Sequence, residues 1–312
     1  MKKKQGNGFS VFRKLTWLKR ELPLHAMILP SVIMVFVFAY IPLYGLTIAF
    51  KKFNPAKGML GDNPWCGLEN FKYIFSLPDI DRVFLNTVVI AVLKIVIGTL
   101  VAIVVALLLN ECRCRSLKRG VQTLIYFPYF ISWIILGGIM ADILSPSDGM
   151  VNQLIQFLGG NPIYFLGDNS VFKGTLVFSD VWRNFGYNSI VYLAAITSID
   201  PTLYEAASID GAGRWKQMLH ITLPGMSTII ILMCILSLGN VLNAGFDQVF
   251  NLYSVQVYES GDIIDTLVYR IGLQQAKFGP STAVGLLKSV ISFLLISFAY
   301  LFAWKKYDYK IF

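Results

Sequence analysis

Three groups of residues in this chain have types and spacings that could do chemistry. Arg183, Asn184, Tyr187 and Asn188 fall at i, i+1, i+4 and i+5, which sets them on one face of a helix. Asn240, Asn243 and Asp247, with Phe246 and Gln248 beside them, share a face of a later apolar segment. Lys94 is a lone cation inside another. Amides and carboxylates hydrogen-bond the polar groups of a solute, and aromatic faces cover its C–H surface. The chemistry on offer is therefore recognition, with no bond-making groups in view. No H-E-x-x-H, Ser/His or paired-Asp arrangement stands in the apolar segments, and no G-x-x-x-x-G-K-[ST] loop is present, so no catalytic residue is assigned. Cys66, Cys112, Cys114 and Cys234 form no C-x-x-C pair and no ligand set with His25 or His220. Neither a metal, a disulfide framework nor a cofactor is expected.

The elements that must position these groups are set by composition. Hydrophobic residues make up 55% of the 312, charged residues 14%, and the mean hydropathy is +0.61. A soluble domain carries about a quarter of its residues charged, so the chain is an all-α polytopic membrane protein. Six stretches reach the roughly 20 apolar residues that a crossing needs: 26–50, 84–109, 121–144, 174–199, 226–250 and 283–304. The fourth is interrupted by Asp180, Arg183, Asn184 and Asn188. Val151–Leu166, with Gly159, Gly160 and Pro162, reads as a surface helix and turn, and Leu68–Pro78 contains a short surface helix. The basic leader feeds an apolar run too long for a signal-peptide core, so it reads as an uncleaved anchor. The parts are then a leader (1–25), a first helix with its external loop (26–83), a five-helix core (84–304) and a tail (305–312).

The net charge of +9 is spread between the apolar spans, which argues against nucleic-acid binding. Sixteen of the 27 Lys and Arg residues lie in the leader, the 110–120 loop, the 200–225 segment and the tail, whereas eight lie in the three longer opposite loops. Basic residues favour the cytoplasmic side, so both termini and the 200–225 segment are expected there. The leader's lysines and arginines also suit contact with anionic lipid.

That segment is a polar island between the fourth and fifth spans. Asp200-Pro201 is a helix start: Asp caps free N–H groups and Pro fits the first helical position. A helix over 202–209 places Glu205 at its exposed middle, with Ala206 and Ala207 leaving a small-residue surface. Gly211 or Gly213 suits a left-handed cap, and a second short helix, 214–220, leads to Pro224. The prediction is a bent helix pair lying under the membrane.

Glu205-Ala206-Ala207, then Gly211, then Ile221-x-Leu223-Pro224, with Asp210-Gly211-Ala212 between, resembles the EAA loop of inner-membrane permeases of ABC importers. The resemblance extends over nearly the whole chain, most tightly 84–304. Pro42-Leu43-Tyr44-Gly45, Gly67-Leu68-Glu69-Asn70-Phe71, Asn243–Asn251 and Asp265–Arg270 are similar to the subgroup that imports oligosaccharides and polysaccharide fragments. The resemblance implies a type I importer permease in a bacterial cytoplasmic membrane. A related second permease would pair with it, an ATPase dimer would dock on the EAA loops, and an extracytoplasmic sugar-binding protein would deliver the substrate. Glu205, Ala206, Ala207, Asp210, Gly211, Ala212, Leu223 and Pro224 would couple to the ATPase.

Other readings of the same residues stand beside this one. The in-span amides also suit polar glue between helices, and Lys94 and Lys288 suit pairing with a neighbouring helix. Tyr126–Trp133 reads first as interfacial anchoring, with Pro128 a kink or a hinge. An ion-coupled secondary transporter would show inverted repeats with broken helices; no internal repeat is found, and that reading leaves the Glu205-Ala206-Ala207 pattern unexplained. A permease for a non-sugar solute is the nearer alternative.

Overall fold

In a computed structural model, residues 8–307 are described; the leader's side chains through residue 20 and the tail beyond 307, assigned above to topology and lipid contact, lie outside that description. Fifteen α-helices follow in chain order: α1 Gly8–Val35, α2 Glu69–Phe75, α3 Ile80–Glu111, α4 Arg115–Tyr126, α5 Trp133–Ile143, α6 Met150–Phe157, α7 Asn169–Thr197, α8 Pro201–Ile209, α9 Arg214–Gln217, α10 Leu223–Gly225, α11 Ser227–Gly239, α12 Phe246–Leu252, α13 Tyr258–Gly261, α14 Ile264–Tyr269 and α15 Phe278–Tyr307. Among the described residues β-pairing is limited to one isolated bridge, Lys51 with Trp65.

Among the described residues three helical stretches are long and apolar enough to cross a membrane: Glu21–Phe50, Ile80–Glu111 and Phe278–Leu301. Two of the expected crossings are not straight helices. The one expected over 121–144 is broken at Ile131–Ser132, and its two parts, Arg115–Phe130 and Trp133–Ile143, meet at 102°. The one expected over 226–250 stops at Gly239, unwinds through Asn240–Gly245 and resumes as α12. Its start is also bent, by 54° against Arg214–Gly225. Counting each bent pair once gives five crossings, and the 29-residue α7 falls short of the apolar standard because of its polar residues. Breaks of this kind leave backbone groups that must find partners, since hydrocarbon offers none.

The core is built on α3 against α7. Ile80, Val83, Ile90 and Ala91 of α3 meet Phe172 and Leu176 of α7, and Val249, Leu252, Ile263 and Ile264 close the cluster. Asn86 donates to the carbonyls of Glu259 (3.0 Å) and Asp262 (3.3 Å), and Thr87 accepts from the Ile264 amide (2.9 Å). Toward the island a second cluster gathers Ala102 and Ala106 of α3, Tyr192, Ala195 and Ile196 of α7, and Met226. The alanines let the backbones approach closely, which is how helices associate where lipid is as apolar as they are.

The outer surface is apolar. Every residue from 22 to 44 is exposed, and Phe38 and Phe298 are 73% and 71% exposed. The first crossing touches the body chiefly where its 3₁₀ segment Ile41–Phe50 packs on α15, with Ala49 fully buried. Such a surface is stable only in a bilayer.

Candidate functional site

Two sites emerge, a cavity among the spans and the exposed island. The cavity, about 360 Å³, is walled by α3, α7 and α11 and closed by the unwound Asn240–Gly245 turn. Its polar lining includes Lys94, Asp180, Asn184, Asn188, Asn240 and Asn243, with Thr99 and Ser237 beside them. Asn240 donates to the Leu236 carbonyl (3.3 Å) and Asn243 to the Asn240 side chain (3.2 Å), so the two amides are linked and exposed. Asn240 and Asn243 therefore sit together in a turn, and the shared helical face expected for them with Asp247 does not exist. Asp247 lies beyond the turn on α12, exposed and outside the cavity lining.

The four polar residues of α7 also divide. Asn184 and Asn188 face the cavity, but Arg183 and Tyr187 face the broken third crossing. Tyr187 stacks on Tyr129, ring centroids 3.9 Å apart and 3° from parallel. Arg183 donates from Nε to the Ile131 carbonyl (3.1 Å) and from Nη2 to the Tyr129 carbonyl (3.0 Å). Its guanidinium also covers the rings of Tyr129 and Trp133, at 5.5 and 5.0 Å. Of the aromatics read as interfacial anchors, Tyr129 is thus committed to α7, while Phe127 and Phe130 are exposed.

Lys94 lies about 21 Å along α3 from Ile80. Its side chain is 9% exposed, with Nζ 3.7 Å from Asp180 Oδ1 of α7. It donates to the Ala244 carbonyl at 2.5 Å and to Gln248 Oε1. Gln248, fully buried, in turn donates to the Leu176 carbonyl and Ser179 Oγ, both at 2.7 Å. The pairing reading of Lys94 is what the geometry shows. The sequence reading missed Asp180 as its partner, although an acid and a base inside two spans were the available signal. Lys288 is likewise paired, to Asp265 at 2.5 Å.

The island is folded by local chemistry. Asp200 accepts from the Thr202 amide at 2.9 Å with Pro201 first in α8. That bond holds the Asp200 carboxyl below its ordinary value. The contribution to the cap is complete above pH ~4, the usual Asp pKa, and is lost as pH falls through the lowered pKa. Asp200→Asn keeps an acceptor and should preserve helicity of this segment, whereas Asp200→Ala should fray its first turn, read by amide exchange at Thr202–Tyr204. The far end closes with Gly211 at φ +78°: the Ala212 amide donates to the Ala207 carbonyl (2.8 Å) and the Gly211 amide to the Ser208 carbonyl (3.2 Å). These two bonds are the Schellman pattern, so Gly211, of the two glycines in question, is the cap. Gln217 then donates to Ser208 Oγ (2.9 Å) and the Ala212 carbonyl (3.0 Å), tying the second helix to the first. That second helix runs Arg214–Gln217 and continues through a π-helical turn, Met218–Thr222.

Glu205, Ala206, Asp210, Gly211 and Pro224 are exposed, and Ala207 and Ala212 are half-covered. Leu223 instead packs toward the Met226 cluster, fastening the island to α3 and α7. Ile209 and Trp215 are 87% and 76% exposed, and Trp215 lies against Val104, Leu107 and Leu108 near the end of α3; neither was expected from the spacing.

Residues 95–305 match the family described as binding-protein-dependent transport system inner membrane component. The chain belongs to that family. The polygalacturonan/rhamnogalacturonan transport system permease protein YteP of Bacillus subtilis (strain 168) is 42% identical over 92% of this chain and 89% of its own length. A bacterial ABC transporter involved in the import of the acidic polysaccharide alginate superposes with a TM-score of 0.87 at 36% identity, over 94% of this chain and 99% of that one. The alginate transporter in complex with an alginate pentasaccharide-bound periplasmic protein gives 0.84 at 36% identity, over 92% and 96%. As a member of this permease family the chain is a multi-pass inner-membrane transport component with the type I importer permease fold.

A separate cavity of about 290 Å³ lies between the α2–α3 junction and α13–α14. Its charges are spent on each other, Arg270 with Asp262 at 2.5 Å and Arg82 with Glu259 at 3.7 Å. None of the sequence-predicted site residues lies there.

Proposed function

We propose that this chain is one permease subunit of an ATP-driven importer for an oligosaccharide or polysaccharide fragment. The observation that carries the proposal is a continuous path. The exposed Glu205–Ala212 surface joins α11 through Leu223 and Met226, and α11 ends in the turn that presents Asn240 and Asn243 to the cavity. A displacement of the island thus has a direct mechanical route to the solute site. The chain has no phosphate-binding loop of its own, so ATP hydrolysis falls to a partner ATPase docking on Glu205, Ala206, Ala207, Asp210, Gly211 and Ala212. Half a cavity opens on this chain, and a second permease, related but distinct, completes it. A sugar-binding protein delivers substrate from outside.

Asn184, Asn188, Asn240 and Asn243 supply four amides with both donors and acceptors, suited to the hydroxyls of a saccharide. Lys94 is engaged with Asp180 and leaves little free charge. The relatives point to acidic glycans, and acidic and neutral oligosaccharides are to be compared directly. Proteoliposomes holding this chain with its partner permease and ATPase, given loaded binding protein, should take up labelled oligosaccharide only with hydrolysable ATP. Uptake that persists with a dead ATPase would sink the proposal. Asn184→Ala with Asn243→Ala should cut uptake at least tenfold while the assembly stays intact on gel filtration. Unchanged uptake would assign these amides to helix packing alone.

A further inference from the structure

The island meets the end of α3 across a groove that the path from island to cavity does not use. Val104, Leu107 and Leu108 form one wall, Trp215 and Met218 the other, and the space between them is about 360 Å³. Val104 to Glu111 covers about 10 Å of helix axis, the last two turns before α3 ends at Cys112. The groove is continuous with the apolar outer surface: Val96, Leu100, Val104 and Leu108 recur every four residues along one face of α3, and all are exposed. At the mouth the chemistry turns cationic. Arg214 meets Glu111 through one contact of 3.5 Å, with side chains 55% and 47% exposed. Such a pair is weak and leaves most of the five guanidinium donors free. Lys216, exposed on the same short helix, has no ion-pair partner among the described residues. Between these two cations the Trp215 indole N–H donates to no group among the described residues.

We propose that this groove seats one anionic phospholipid, its acyl chain between Leu108 and Trp215 and its phosphate on Arg214, Lys216 and the Trp215 indole. An aliphatic tail matches walls that offer no hydrogen bond, and a phosphate matches two cations set against one carboxylate. A Trp suits the boundary between the two, with its apolar body toward the tail and its N–H toward the headgroup. A protein segment in the groove would need partners for its backbone polar groups, and only the mouth supplies any. The seat also bears on coupling. Gln217 ties α9 to Ser208 and Ala212, so a lipid that holds Arg214–Gln217 against α3 also sets where Glu205–Gly211 stands. ATPase turnover then depends on anionic lipid. That last step rests on the transport reading above; the lipid seat does not.

The test uses the assembled transporter, stripped of lipid in detergent and titrated with phosphatidylglycerol or with phosphatidylcholine of the same acyl chains, binding being read by native mass spectrometry. The wild type should bind phosphatidylglycerol at least tenfold more tightly, a comparison that needs no variant. Arg214→Gln should erase the preference, and Leu108→Trp, which fills the groove from an exposed position, should weaken both lipids. Melting of the bundle should be unchanged, since neither residue belongs to the α3–α7 clusters. In vesicles, ATPase with loaded binding protein should run at least threefold faster with phosphatidylglycerol than in phosphatidylcholine alone, and neither variant should show that rise. Equal binding of the two lipids, or a preference that Arg214→Gln leaves intact, would overturn the seat. Loss of the lipid whenever the ATPase joins the permease pair would overturn it too, and would assign the face to protein docking. If binding holds while wild-type turnover ignores the lipid, the link to coupling is overturned and the seat stands. If the wild-type assembly transports nothing, the transport reading fails, and the binding arm still decides the seat.

Discussion

Gly211→Val should leave the chain inserted in the membrane and reduce uptake by at least tenfold. The backbone at Gly211 has φ +78°, and a Cβ placed there meets nothing within 4 Å. Space is therefore not the obstacle; conformation is. A left-handed residue with a side chain costs roughly 1–2 kcal/mol, and a β-branched one is a severe outlier. The α8–α9 turn would open and release its two capping bonds, misplacing Glu205–Ala207 relative to Trp215. The clusters on α3 and α7 do not include Gly211, so membrane insertion and the thermal stability of the bundle should hold. Gly211→Asn is the control, because Asn tolerates the left-handed region; it should retain most of the uptake. The decisive readouts are uptake and co-purification of the ATPase. Full-rate uptake by the Val variant would remove the docking role assigned to the island.

The second large effect is expected from Arg183→Met, and it is an effect on structure. Arg183 supplies the donors for the Tyr129 and Ile131 carbonyls at the 102° break. Hydrogen bonds to a charged donor contribute about 1.5–3 kcal/mol each, so losing both costs on the order of 3–6 kcal/mol. The stacked cation adds about 0.5–2 kcal/mol through Tyr129 and Trp133. The Met variant should therefore melt many degrees lower in detergent, measured by tryptophan fluorescence. Arg183→Lys should fall between the two, since one ammonium lacks the forked reach to serve both carbonyls in the same geometry. A Met variant as stable as wild type would show that the break is held by Ser132 and packing alone.

These two sites differ in how they can be read from sequence. The island was legible because its determinants are local. Asp200, Pro201 and Gly211 act within four residues of themselves, so a linear reading finds the helix, its start and its end. The α3 and α15 spans were legible for the same kind of reason, long apolar runs with little interruption. The breaks were not. Pro128 and Ser132 mark the neighbourhood of the third-crossing bend, but the bend is secured by Arg183, some fifty residues away. Asn240 to Asp247 fits a helical period on paper. That period is overridden by Gly245 and by Lys94, about 150 residues earlier in the chain. Polar residues in apolar runs announce that something is unusual; which partner they find is a property of the packed bundle.

Gln217 gives the island a mechanical character. By bonding both Ser208 and Ala212 it braces the angle between α8 and α9, and Tyr204 adds a second brace to Thr222 at 3.0 Å. In a series of connected parts under load, strain collects in the most compliant one. The braced island and the 13-residue α11 are continuous helical parts, whereas Asn240–Gly245 keeps three backbone bonds, from the Asn240, Val241 and Asn243 amides, in place of a full helical ladder. A torque applied to the island would therefore be carried by α11 to this turn, beside the cavity amides.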